Sequence, residues 1–153
     1  MGWMPKNSGA AGAAADMRDM LKRHEGVRKL VYNDATGATV KPVEGYLTIG
    51  VGHNLSVPMD ETLIDIILDY DIRKATRNLI KVFPNLHEFG QRRGNVLIAL
   101  MFNIGPGSFR GFEKMIAAIE GKKWGLAADE LKDSEWYRTV GPGRGDEMVA
   151  MLR

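Results

Sequence analysis

The sequence contains no cysteine, so disulfide bonds and thiol catalysis are both excluded. It has no apolar run of the length that a membrane-spanning helix needs, and its N-terminus lacks a basic region followed by an apolar core, so neither a transmembrane segment nor a secretory signal is predicted. Nothing resembles a dense lysine and arginine face interleaved with aromatic residues, which argues against a nucleic-acid-binding protein. The spacing His-Glu-x-x-His is also absent, so His24, Glu25 and His53 give no reason to expect a metal site.

The composition is that of an ordinary globular protein. The 153 residues suffice for one domain with a hydrophobic core, and hydrophobic residues make up 44% against 26% charged. The formal net charge is only +2. This mild excess of positive charge suits an anionic polymer such as a bacterial cell wall, would suit nucleic acid equally, and is also an ordinary margin for solubility. Charge therefore does not decide the function.

The N-terminal third predicts a helix followed by a small sheet. Residues 1–15 are rich in glycine and alanine and indicate an extension or flexible linker before an N-cap at Asp16. One face of the helix that follows carries Met17, Met20, Leu21 and His24. We expect this helix to end at Gly26, in a left-handed backbone conformation. Residues 30–32, 38–43 and 46–49, separated by turns at 33–37 and 44–45, predict a small antiparallel sheet.

Helical periodicity governs the rest of the chain. A long helix is predicted from Pro58 to the stop at Pro84, and further helical pieces at residues 85–92, 95–104, 112–119, 124–131, 134–137 and 144–152. Residues 96–102 are apolar all round, so their helix is predicted to be buried, with its end at Gly105. The predicted fold class is α+β: one domain over 16–153, with a small sheet-bearing lobe at 16–57, a connecting helix at 58–82 and a larger all-helical lobe at 83–153.

Three polar side chains fall where short structured pieces end. Glu25 closes the first helix, Asp34 lies in the turn after residues 30–32, and Thr48 lies near the end of a strand. Side chains at such ends can converge on a cleft, and two carboxylates in different surroundings are what hydrolysis of a glycosidic bond needs. The plain alternatives are a solvated helix-end glutamate, a turn aspartate and a β-branched strand residue. The dipole at a helix C-terminus disfavours a negative charge on Glu25, which suits a general acid.

These residues carry a resemblance to a known family. The pair Glu25-Gly26, the aspartate nine residues on at Asp34, and the Thr-Ile-Gly-Val-Gly-His run at residues 48–53 resemble the phage-type lysozymes (endolysins), such as those of T-even phages. The similarity continues through Phe-Asn-Ile-Gly at residues 102–105 and through Trp124, Trp136-Tyr137 and Arg144, and covers nearly everything from residue 16 onward. Residues 38–43 make this chain longer than the shortest members.

The resemblance implies a lysozyme-like fold and a set of catalytic roles. Glu25 would protonate the glycosidic oxygen, Asp34 would stabilise positive charge on the sugar or orient a water, and Thr48 would hold that water. Hydrolysis would proceed with inversion and without a metal or organic cofactor. The bond would be the β-1,4 linkage between N-acetylmuramic acid and N-acetylglucosamine in peptidoglycan.

The same resemblance implies a set of substrate-binding residues, for some of which a purely structural role is the alternative. The substrate-binding set is Asn103, His53, Gly52, Leu55 and Arg144. Asn103 would bind substrate through its amide; the alternative is that it caps the C-terminus of its helix. Arg144 would lie near Glu25, although it could cap a helix or be solvated. His53 is expected to pair with a carboxylate of the long helix, Asp69.

The resemblance also implies partners and a place of action. We expect a monomer that binds peptidoglycan glycan strands, binds no nucleic acid and does not insert stably in membranes. It would accumulate in the cytoplasm of a host bacterium and reach the cell wall, in the periplasm, after the membrane is breached. The rival interpretation is a cell-wall-binding module that has lost turnover. The intact Glu25, Asp34 and Thr48 argue against that rival.

The first residues allow two interpretations. Family members commonly continue past the position of Arg153 into a short tail with glycine and an aromatic or basic residue, and Gly2-Trp3-Met4-Pro5-Lys6 looks like such a tail. The chain could thus be a circular permutant, with the C-terminal tail joined through residues 7–15 to the usual start. A simple N-terminal extension is the alternative. The permutant requires Trp3 to pack near Leu152.

Overall fold

The architecture is mostly helical, with a two-stranded antiparallel sheet. The computed structural model describes residues 8–41 and 45–153, and their side chains from Asp16 onward. Residues 2–6, and with them the choice between an extension and a relocated tail, lie outside the described residues. The elements in chain order are α1 (Ser8–Glu25), β1 (Thr48–Ile49), β2 (His53–Asn54), α2 (Glu61–Ile80), a short 3-10 turn (Leu86–Glu88), α3 (Gln91–Arg110), α4 (Glu113–Glu120), α5 (Trp124–Lys132) and α6 (Glu135–Leu152).

Helix α1 begins eight residues earlier than predicted. Ser8 to Ala15 is helical and is not a flexible linker, and Asp16 is not its N-cap. The physical reason is composition: five of these eight residues are alanine, the best helix former, which outweighs the two glycines. The predicted apolar face is confirmed, since Met17, Met20 and Leu21 are buried. The predicted end is confirmed as well, because Gly26 has φ 76°.

The sheet is smaller than the sequence pattern predicted. Thr48 pairs with Asn54 and Ile49 with His53, around a turn in which Gly50 and Gly52 both have positive φ. Residues 30–32 and 38–41 form no strand and share a single bridge between Tyr32 and Thr39. The rest of the predicted strand over 38–43, and residue 44 of the turn after it, lie outside the described residues. The turn over 33–37 is as expected. Between Gly26 and Asp60 no described residue is buried, so no hydrophobic face exists there to hold longer strands together.

Helix α2 is shorter at both ends than the predicted span of 58–82. Its first turn is fixed by Asp60, whose carboxylate accepts a hydrogen bond from the backbone N–H of Thr62 at 2.8 Å, so the helix starts at Glu61 and not at Pro58. It ends at Ile80, four residues before Pro84. Phe83 already belongs to the core, and its backbone N–H bonds to the carbonyl of Leu79 at 2.8 Å.

The core is built around α3, as the sequence predicted. Residues 96–101 are all buried, and buried residues of α1, α2, α4, α5 and α6 belong to the same cluster. Residues 85–92 are not one helix, because a 3-10 turn and Gly90, with φ 76°, precede α3. The predicted helices at 134–137 and 144–152 are joined into α6.

Two helices carry a matching backbone break. In α3 Gly105 has φ 73° and ψ 171°, and in α6 Gly141 has φ 79° and ψ 172°. A Pro-Gly pair follows each glycine. This region of φ/ψ space is essentially restricted to glycine, and proline suits the first position of the helical segment that follows. The helix predicted to end at Gly105 therefore changes direction there and resumes to Arg110.

These features support an α+β lysozyme-like class, with the division into two lobes remaining a prediction. All of the buried core lies in the helices and their connections, while the sheet lies in the exposed segment of residues 26–60. Within the described ranges, no helix combines the length and the apolar character that crossing a bilayer would need.

Candidate active site

Glu25 is held by side chains from two distant helices. It is the last residue of α1, and its side chain is 34% exposed. The Nη2 of Arg144 donates a hydrogen bond to its Oε1 at 2.6 Å, and the Nδ2 of Asn103 lies 3.4 Å from the same oxygen. The carboxylate is thereby oriented and still reaches solvent, which is what a group that meets a substrate requires.

Arg144 owes its position to the break in α6. It lies three residues beyond Gly141, and its side chain is only 14% exposed. Its guanidinium carbon lies 5.9 Å from the centre of the Trp136 ring, within the range of a cation–π contact. Its Nε is buried with no hydrogen-bond partner among the described residues. Arg144 therefore serves neither as a helix cap nor as a solvated charge.

Trp136 fixes the orientation of Asn103. The Trp136 ring is 8% exposed, and its indole N–H donates a hydrogen bond to Oδ1 of Asn103 at 2.8 Å. Because an indole nitrogen can only donate, it must face the amide oxygen, which directs the amide nitrogen toward Glu25. The cap interpretation of Asn103 is therefore wrong. The contact between Trp136 and Asn103 was not predicted from the sequence; the available signal was that a buried indole N–H needs an acceptor.

Asp34 and Thr48 lie in the exposed segment, apart from this network. Asp34 sits in the turn over 33–37, and Thr48 pairs with Asn54 in β1; both are exposed. None of the described side-chain hydrogen bonds joins either of them to Glu25. The hydrogen-bond network thus contains Glu25, Asn103 and Arg144 of the predicted site, with Trp136 added.

The remaining predicted residues surround the β-hairpin. His53 and Leu55 line a cavity of about 260 Å³, together with residues 28–32. The backbone N–H of Leu55 bonds to the carbonyl of Leu47 at 2.6 Å. Gly52, with φ 72°, lets the hairpin turn sharply.

The predicted pairing of His53 with Asp69 is wrong. Both carboxylate oxygens of Asp69 accept hydrogen bonds from the guanidinium of Arg18, one of them from Nε at 2.6 Å. Arg18 lies on α1, and its fork matches a carboxylate better than an imidazole does. No described carboxylate forms an ion pair with His53.

A groove of about 800 Å³ begins at the Glu25 network. Asn103 and Trp136 both line it, and its walls come from the α3 break, the start of α4 and the connection between α5 and α6. Its polar and charged lining includes Ser108, Glu113, Lys114, Glu130, Asp133, Ser134, Glu135 and Thr139. An open groove with hydroxyls, carboxylates and an aromatic ring can bind a polar, extended ligand.

A second ion pair lies next to the first. The His24 side chain, only 4% exposed, places Nε2 2.8 Å from Oε2 of Glu147, and Arg23 donates to the other carboxylate oxygen at 2.5 Å. The hydrogen bond from His24, helped by Arg23, holds the pKa of Glu147 below its usual value. The sequence placed His24 on the inner face of α1 but gave no sign of this partner. Glu147 comes three residues after Arg144, so α6 contacts the C-terminal end of α1 at two points: Arg144 bonds to Glu25, and Glu147 bonds to His24.

No group of three histidine, aspartate or glutamate side chains capable of holding a metal ion occurs within the described part of the chain.

Comparison with known proteins points to a single family. The sequence model of the family described as phage lysozyme matches residues 22–150. The chain is 27% identical to probable T4-type lysozyme 1 and 25% identical to probable T4-type lysozyme 2, both of Dictyostelium discoideum, over 90% of its own length and 94% of each relative. It is 28% identical to the pre-baseplate central spike protein Gp5 of Enterobacteria phage T4, over 89% of this chain but 27% of that protein.

Proposed function

Because the chain belongs to the phage lysozyme family, we propose that it is a lysozyme that cleaves the β-1,4 bond between N-acetylmuramic acid and N-acetylglucosamine in peptidoglycan. The observation that carries this proposal is the placement of Glu25. Its carboxyl group is solvent-accessible and is held by Arg144 and Asn103, and Asn103 in turn lines an open groove. The similarity to proteins named as lysozymes supports the same reaction.

Glu25 acts as the general acid. Cleavage of a glycosidic bond requires a proton on the leaving oxygen, and a carboxyl group fixed at one oxygen by Arg144 has its other oxygen free to carry that proton. Fixing the acid before substrate arrives removes a search through rotamers, which lowers the entropic barrier to proton transfer. Arg144 and Asn103 are positioning residues in this scheme.

Asp34 and Thr48 act on the opposite side of the sugar. Asp34 as a carboxylate stabilises the positive charge that develops on the ring or orients a water, and the Thr48 hydroxyl holds that water. Both side chains are exposed and therefore available to substrate. As the bond to the leaving oxygen breaks, the water bonds to the anomeric carbon and its proton passes to the Asp34 carboxylate, so the anomeric configuration inverts and no cofactor is needed.

The substrate is a glycan strand laid along the Glu25 network. Asn103 and Trp136 line the groove beside the acid, so sugars on the helical side bind there. Gly52, His53 and Leu55 contact sugars on the sheet-bearing side. The enzyme acts as a monomer that builds up in the host cytoplasm and reaches the wall once the membrane is breached.

A turbidity assay on purified cell walls separates this proposal from a binding module without turnover. Glu25→Gln should lose essentially all lysis, because an amide cannot donate the proton, while its unfolding midpoint stays near that of the wild type. Glu120→Gln is the matched control, since Glu120 also ends a helix and also precedes a glycine. It should lyse walls normally. Wild-type lysis by folded Glu25→Gln would refute the acid role, and absence of lysis in the wild type would favour the binding module.

A further inference from the structure

One face of helix α2 is covered neither by the core nor by α1. On the core side Leu68 and Ile72 pack against the core cluster, and Ala75 and Leu79 are buried in it. On the α1 side Asp65 and Asp69 form ion pairs with Lys22 and Arg18. At 3.6 residues per turn, the uncovered residues share a sector of about 120° that runs for about 27 Å. They are Leu63, Ile66, Ile67, Tyr70, Arg73, Lys74 and Arg77 of α2 together with its C-cap residue Lys81, called here the outer face.

The outer face is divided into an apolar half and a basic half. Ile66 is 59%, Ile67 43% and Tyr70 60% exposed, which is unusual for three large apolar residues on one helix surface. The four residues after them are all basic and all exposed: Arg73, Lys74, Arg77 and Lys81. No described carboxylate forms an ion pair with any of these four, and no acidic residue belongs to the outer face.

From this face we infer that α2 docks on the surface of an anionic phospholipid membrane. No residue of α2 lines either of the two cavities described above. Its convex surface suits a fluid, deformable partner, and the four basic side chains complement anionic headgroups. Contact with a hydrated polyanion does not remove an isoleucine side chain from water and so does not stabilise the complex. Insertion of the same side chain at the headgroup boundary of a bilayer is favourable, and tyrosine is also favoured there. The helix would lie in the plane of the interface without crossing it.

Both halves of the outer face are needed for this binding. Three or four partly inserted side chains are a weak anchor, and so are four charges, so a stable docked state needs the two signals together. The binding should therefore be reversible, selective for anionic lipid and weakened by salt. None of the proposed catalytic or substrate-binding residues lies on α2, so docking can be tested independently of wall lysis.

The test is co-sedimentation of the full chain with sucrose-loaded vesicles. The protein should bind vesicles of phosphatidylglycerol and phosphatidylethanolamine at least about tenfold more tightly than vesicles of phosphatidylcholine alone. The charge variant Arg73→Gln/Lys74→Gln/Arg77→Gln and the apolar variant Ile66→Gln/Tyr70→Gln should each weaken binding at least about tenfold. The control Arg110→Gln/Lys122→Gln/Lys123→Gln removes the same charge from exposed positions elsewhere and should retain most of the binding.

Several results would overturn the inference. Equal binding to both kinds of vesicle, or none to either, would do so, as would an equal loss in the control variant. Binding to a soluble polyanion such as heparin with the same affinity, unchanged in the apolar variant, would assign the face to an anionic polymer instead. Circular dichroism and the unfolding midpoint verify folding. Should a variant fail to fold, the wild type still decides: raising NaCl from about 0.05 M to about 0.5 M must release it from anionic vesicles.

Discussion

Arg144 and Glu25 lie 119 positions apart in the sequence, and a hydrogen bond of 2.6 Å joins the Arg144 guanidinium to the Glu25 carboxylate. The contact ties the end of α1 to the second segment of α6. It exists because Gly26 ends one helix at Glu25 and because Gly141 redirects the other helix just before Arg144. Two glycine conformations thus set the geometry of the proposed acid.

Arg144→Lys should lower kcat for wall hydrolysis by about tenfold to a hundredfold, with a smaller change in KM. Lysine keeps the charge but loses the planar fork, and its shorter reach leaves the Glu25 carboxyl free to rotate. Steady-state kinetics on soluble peptidoglycan fragments measure both constants. Arg138→Lys is the matched control on the same helix, at an exposed arginine 3.9 Å from Asp133, and should leave both unchanged. Equal kinetics for the two variants would contradict the positioning role.

Trp136→Phe should reduce activity by about tenfold at a cost of about 1–2 kcal/mol in unfolding free energy. Phenylalanine fills much of the space but has no indole N–H, so the Asn103 amide loses the donor that orients it. Trp124→Phe is the comparison: Trp124 packs edge-on against Phe89 and under Arg93, away from the Glu25 network. It should lower the melting temperature and leave kcat unchanged. A similar loss of kcat in both variants would show that the Trp136 effect comes from lost packing and not from the hydrogen bond to Asn103.

Asp34→Asn should be severely impaired in lysis while keeping the wild-type fold, because the amide cannot carry the negative charge that favours the transition state. NMR of the first product formed by the wild type tests the mechanism separately. Direct attack by water gives the inverted anomer, whereas a covalent intermediate on Asp34 would give the retained β anomer. Observation of the β anomer at early times would replace the water mechanism by a nucleophilic one.

The pair between His24 and Glu147 should make the fold sensitive to acid. The pKa of Glu147 is lowered in the folded state, chiefly by the hydrogen bond from His24, so its contribution to stability is complete above the unfolded value near 4.5 and is lost as pH falls through the folded value. The melting temperature of Glu147→Gln should therefore lie below that of the wild type at neutral pH, and the difference should shrink below about pH 4. A gap that stays constant with pH would rule out titration of Glu147 as its cause.

The sequence pattern predicted an element correctly where residues close together in the sequence determine it. The run over 96–102 is apolar on every side, which predicted a buried helix; residues 96–101 are buried and Phe102 is partly buried against the core. Gly26 ended α1 as expected. The predictions failed where a capping side chain or packing against other elements determines the structure. Asp60, not Pro58, sets the start of α2 through its side chain, and the strands over 30–32 and 38–41 did not form because no buried face supports them.

The site shows the same division. Glu25 could be singled out from its place before Gly26 and from the family resemblance. The contact between Trp136 and Asn103 could not, because it joins residues 33 positions apart on two helices whose packing the sequence does not specify. The pairing predicted between His53 and Asp69 was wrong for a related reason. The Asp69 carboxylate is hydrogen-bonded to Arg18 of α1, and this contact depends on how α1 packs on α2.

The absence of buried side chains between Gly26 and Asp60, among the residues that the structure describes, has a consequence for how the protein fails under stress. Few apolar contacts hold this segment, so its local opening should cost much less free energy than global unfolding and should proceed as a separate cooperative unit. In mild urea its amide protons should exchange fast while those of α3 remain protected. If Asp34 and Thr48 act as proposed, wall lysis should then disappear at urea concentrations at which the helical circular dichroism signal is still intact, so that loss of lysis reports the first step of unfolding.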